Sequence, residues 1–67
     1  MRFDIQFFRG DAPDVQTVSR RSGQFASERD AEIYGVTRRP EEAEGFRIWK
    51  DGVLQKAVTI RPEKQGA

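Results

Sequence analysis

Ser19, Ser22 and Ser27 are the only hydroxyl groups of serine in this chain, and Glu41, Glu42 and Glu44 form its densest group of carboxylates. A serine becomes a nucleophile only with a base in reach, and the sequence has no histidine to serve and no Ser-Lys motif. Paired carboxylates do acid–base work when their surroundings drive their proton affinities apart. The three glutamates fall in the polar run PEEAEG, which reads as a solvated connection. No cysteine is present either, which removes a thiol nucleophile and, with histidine absent, the usual ligands of zinc. The acidic residues do not have the spacing of a calcium loop, and Gly10, Gly23, Gly35, Gly45 and Gly52 stand singly, without a phosphate-cradling run. These residues predict a protein that is not an enzyme and that holds neither cofactor nor metal.

Binding chemistry is the alternative. Arg20-Arg21 and Arg38-Arg39 are the basic doublets, and each has a structural use, at the close of a strand or at a helix C-terminus that favours cations. Trp49 and Phe8 are the better lead. Aromatic side chains and arginine are enriched where proteins meet, although a sheet tryptophan also stabilises a hairpin through a cross-strand neighbour such as Val53.

The elements that position these groups must be built from 67 residues, a single small domain. Such a chain buries only about 60% of the surface its unfolded form exposes, so every packed side chain matters. Twelve basic residues against eleven acidic ones give a net charge of +1, which is neither a polyanion-binding arm nor an acidic tail. The longest apolar runs are pairs such as Phe7-Phe8 and Val53-Leu54, far short of a membrane span or a signal sequence. With no cysteine as well, the expected location is the cytoplasm.

Phe3, Ile5 and Phe7 alternate with Arg2, Asp4 and Gln6, the period of a half-buried strand. A five-residue loop, Gly10 to Asp14, leads to a second strand, VQTVSRR, in which Val15 and Val18 fall on opposite faces unless a bulge intervenes. Ser22 to Gln24 break the pattern. Ser27 is a helix N-cap with Asp30 three residues on, Glu28 and Asp30 suit the first turn, and Pro40 sets the stop, so a helix is expected through about Arg38, the alternative being an earlier end with Gly35 as its C′ glycine. At about 100° per residue, Ala26, Ile33, Tyr34 and Thr37 make one stripe, expected to face the sheet. Glu28, Glu32, Gly35 and Arg39 make the other, expected to face solvent. The tail, residues 62–67, is expected to be disordered beyond a domain spanning 1–61.

FRIWKDGVLQKAVTI, residues 46–60, is a hairpin in which the turn decides the faces. A two-residue Asp51-Gly52 turn of type I′ pairs Trp49 with Leu54 but mixes apolar and polar residues on both faces. A three-residue loop with Gly52 left-handed pairs Trp49 with Val53 and Ile48 with Leu54. It also collects Phe46, Ile48, Leu54, Val58 and Ile60 on one face, with Lys56 snorkelling. The sorting favours the three-residue loop and points Trp49 away from the helix.

Hairpin, helix, hairpin predicts a two-layer α+β domain of ββαββ order, an antiparallel sheet with one helix on one face. Its core would be Phe3, Ile5, Phe7, Phe25, Ile33, Tyr34, Phe46, Ile48, Leu54, Val58 and Ile60, with the strand order left open. The Ser27 cap, Ala31, Tyr34-Gly35, Glu44-Gly45-Phe46 and Asp51-Gly52 give the chain a layout that resembles short bacterial proteins of ββαββ order with no assigned function. The likeness covers most of residues 1–60 and implies neither an activity nor a ligand. The face left bare carries Arg2, Phe8, Arg47, Trp49 and, on this register, Val53. The expected function is binding through that face, to another protein or to a second copy. The alternative is nucleic acid, with Arg2 and Arg47 on phosphates and Phe8 and Trp49 stacking on bases.

Overall fold

Four strands and one capped helix form in the computed structural model, which describes residues 1–10 and 13–60. The order is β1 (Arg2–Arg9), β2 (Gln16–Gln24), α1 (Glu28–Thr37), β3 (Gly45–Lys50) and β4 (Val53–Thr59). The strands form one antiparallel sheet in the order β2-β1-β3-β4, so β1 and β3 are central and the two hairpins meet along them. This is the ββαββ α+β fold. The expected tail lies outside the described residues, as do Asp11 and Ala12 of the first hairpin loop.

Phe3, Ile5, Phe7, Phe46 and Ile48 are buried on one face of the two central strands, joined by Ala31 and Ala43. Each large apolar side chain fully buried in this way contributes about 1.5–3 kcal/mol. Phe7 meets Phe46 edge-on, with centroids 6.0 Å apart. Phe25 bridges the layers, 6.3 Å from Phe3 and 5.5 Å from Tyr34 of the helix. Outside the second hairpin, four expectations are corrected. β2 continues through Ser22, Gly23 and Gln24 because Asp4, Phe3 and Arg2 of β1 pair with them, and the Ser22 hydroxyl donates to the Asp4 carboxylate. Val15 lies before the strand, and the bulge falls at Val18, which packs against the core. Ala43, within the connection taken as solvated, is buried at the turn in which its N–H donates to the Pro40 carbonyl.

The fourth correction concerns the helix. Ser27 caps it as expected, its Oγ accepting from the Asp30 N–H, and Arg38 closes it through an N–H donated to the Tyr34 carbonyl. The buried stripe, however, is Ala31 and Gly35 flanked by Tyr34, while Ile33 is 53% exposed. The phenylalanines of the sheet already fill the space between the layers, so a close-docked helix must present its smallest residues to them. A Cβ at Gly35 would lie 2.6 Å from Cε2 and Cζ of the fully buried Phe46 ring.

Gly35→Ala therefore has two opposing terms. Helix propensity favours alanine by about 1 kcal/mol, whereas overpacking a core costs about 1–3 kcal/mol. Three ring atoms of an immobile phenylalanine are affected, so packing should win and the variant should lose about 1–2 kcal/mol in denaturant unfolding. A raised melting temperature would return Gly35 to the solvent side.

The second hairpin takes the two-residue turn rather than the expected three-residue loop, and a bulge shifts the ladder beyond it. Asp51 and Gly52 both have positive φ, 53° and 79°, as a two-residue type I′ turn requires, and Lys50 and Trp49 pair with Val53 and Leu54. Gln55 is then an extra residue, and beyond it Ile48, Arg47 and Phe46 pair with Lys56, Ala57 and Val58. The bulge lets Asp-Gly have its preferred turn and still returns Val58 to the core face. Leu54 is the residue displaced. It sits opposite Trp49, 45% exposed, instead of opposite Ile48 in the core. Lys56 lies on the helix side, its ammonium 3.0 Å from Glu32.

Candidate binding face

α1 covers one side of the sheet, and the other side is open. Alternation and pairing place Arg2, Asp4, Gln6 and Phe8 of β1 there, beside Thr17, Arg20 and Ser22 of β2 and Arg47 and Trp49 of β3. Leu54 and Ala57 of β4 continue the row. Trp49 faces away from the helix. Its indole N–H donates to Gln6 Oε1 at 3.0 Å, and Gln6 Nε2 donates in turn to Thr17 Oγ1 at 2.7 Å. One chain of hydrogen bonds thus crosses three strands and orients the tryptophan. Arg47 lies with its guanidinium carbon 4.9 Å from the centroid of the Phe8 ring.

Of the five residues expected here, Arg47 and Trp49 stand together on the open face. Arg2 is on the same face near the end of β1, opposite Gln24. Phe8 is on it too but only 7% exposed, roofed by Arg47 and set over Gly45 of the next strand. Its ring is not presented for stacking. Val53 is a correction: it pairs with Lys50, which alternates with Ile48, and so belongs to the helix side. Leu54 takes the place beside Trp49, the pairing that the two-residue turn gives. Arg20 joins the face because it pairs with Gln6, a register set by the bulge at Val18.

Both outer strands carry a bulge, at Val18 in β2 and Gln55 in β4. Bulges and basic residues on edge strands hinder pairing with another chain, which leaves the open face as the more accessible surface of the sheet. A groove of about 400 Å³ lies on the helix side, between α1 and β4, walled by Ile33, Val36 and the Glu32–Lys56 pair. It offers apolar contact without a reactive group. Among the described residues, no set of histidine, cysteine or carboxylate side chains is gathered for a metal, and no helix is long and apolar enough to cross a membrane. No family model, no curated protein and no solved structure matches this chain, so the face is read from its own residues.

Proposed function

We propose that this chain is a non-enzymatic, cytoplasmic binding module that docks another protein on the open face of its sheet, with Trp49 as the anchor. The observation that carries this reading is the seating of Trp49. Its one polar atom is satisfied by Gln6, it stands beside the exposed Leu54, and its position is held by a hydrogen-bond chain from β3 to β2. A large side chain already fixed in place loses little conformational freedom on binding, which is what makes an aromatic an effective interface anchor.

Affinity capture from the native cell should recover a partner on the native chain, and Trp49→Ala should weaken its binding by about 2 kcal/mol or more. The fold should lose no more than about 1 kcal/mol, the scale of one cross-strand contact. A partner held equally well by Trp49→Ala would overturn the reading.

A further inference from the structure

We infer that the partner of this face is an acidic protein segment carrying an aliphatic side chain, and that it is not a second copy of the chain. The inference rests on the binding reading above and adds the partner's chemistry. The open face divides into two halves. Toward β4 it is apolar, with Trp49, Leu54 and Ala57; toward β1 and β2 it carries Arg2 and Arg20, with Arg47 between the halves. Against these three arginines stands one acid among the described residues of the face, Asp4, whose carboxylate already accepts from Ser22.

The chain as a whole is nearly neutral, so this bias is local. The acids balancing it lie elsewhere: Glu28, Asp30 and Glu32 on α1, and Glu41, Glu42 and Glu44 in the connection that follows. Charge of one sign on one face steers a partner of the opposite sign and rejects like-charged ones. Two copies meeting face to face would set six arginines against two aspartates, and this repulsion disfavours a symmetric pair. Nucleic acid is the other anionic class. Sequence-tolerant binding of single strands uses several aromatics on which successive bases stack. With Phe8 roofed by Arg47, this face presents Trp49 alone, beside aliphatic leucine and alanine.

Trp49 is the only tryptophan, so its fluorescence reports occupancy of the face directly. Three probes would be titrated: a synthetic glutamate-rich peptide with a central leucine pair, the same peptide with lysine for glutamate, and single-stranded oligothymidylate. The acidic peptide should give a saturable change that weakens about fivefold between low and moderately high salt, since exposed ion pairs are screened over about 10 Å. The lysine peptide should give none. Arg20→Glu, on an exposed edge-strand position, should reduce the acidic peptide's affinity about tenfold while leaving the unfolding midpoint near that of the native chain, so loss of binding is not mistaken for loss of fold. Arg47→Gln should do the same, with a small loss of stability from uncovering Phe8.

Tighter binding of the oligonucleotide than of the acidic peptide would overturn the inference in favour of nucleic acid. A dimer in sedimentation that Trp49→Ala dissolves would overturn it in favour of a second copy. No response to the acidic peptide would overturn the acidic-partner inference while leaving the binding reading to the Trp49→Ala capture experiment.

Discussion

Phe46→Ala should cost about 3–5 kcal/mol, the scale measured for emptying a buried phenylalanine site. Phe46 has no exposed surface, meets Phe7 edge-on, and fills the hollow over which Gly35 brings the helix down. Domains contribute about 0.05–0.15 kcal/mol per residue, so a chain of this length has about 3–10 kcal/mol in all. The variant should therefore lose a large share of its total stability, read by circular dichroism as a much lowered unfolding midpoint. Phe46→Leu keeps most of the volume and should remain folded. In that background Gly35→Ala should lose its penalty, becoming neutral or favourable by up to about 1 kcal/mol, because the ring atoms its methyl would strike are gone. Additive effects of the two changes would mean that helix and strand do not touch at this point, and the account of the layer packing would fail.

The same contact explains why the strands of the core were more legible in the sequence than the helix was. β1 and β3 bury one face each, and a period of two marks Phe3, Ile5, Phe7, Phe46 and Ile48 without ambiguity. A helix docked through glycine and alanine reverses the usual signal. Its apolar residues Ile33 and Val36 are left outside, and its smallest residues, Ala31 and Gly35, are inside. Hydrophobic periodicity has no means of registering a close approach.

The two bulges are the other source of error. Each adds one residue to an edge strand and so exchanges faces partway along it; Val15 and Val18 on opposite faces signalled the one in β2, whereas nothing in the sequence signalled the one in β4. Trp49 escaped this because it lies on β3, whose alternation runs unbroken from Phe46 to Lys50 beside β1. Val53 and Leu54 were misplaced because, without the bulge beyond them, only a three-residue loop sorts the faces, and the binding face gained a leucine where a valine had been expected. Arg47 and Trp49 were legible as a pair because both belong to the one unbroken strand.

Gly45→Ala should be as damaging as removal of Phe46, though it adds a single methyl group. Gly45 pairs with Phe8 on one side and Thr59 on the other. Glu44, just before it, donates its N–H to the Phe8 carbonyl and accepts from the Ile60 N–H, while its side chain accepts from the Gly10 N–H. A Cβ at Gly45 would collide with the Val58 carbonyl oxygen, lie 2.8 Å from Cζ of Phe8, and lie 3.0 Å from Cα of Thr59. Two of these three neighbours are backbone, and the third is a ring held beneath Arg47, so no flexible side chain can yield. Relief requires β4 to move away from β3, which would break the pairing that carries Val58 and Ile60 to the core. Overpacking typically costs about 1–3 kcal/mol, and a backbone collision belongs at or above the top of that range. Chemical denaturation should show a loss of about 3 kcal/mol or more, and amide exchange should show lost protection in Val58 and Ile60 before β1. Phe8→Leu, which removes the ring from the site, should recover only a minor share of the loss in the Gly45→Ala background, since the carbonyl collision remains. Near-native stability of Gly45→Ala would mean that β3 and β4 are not drawn together here, and the register assigned to the second hairpin would fall with it.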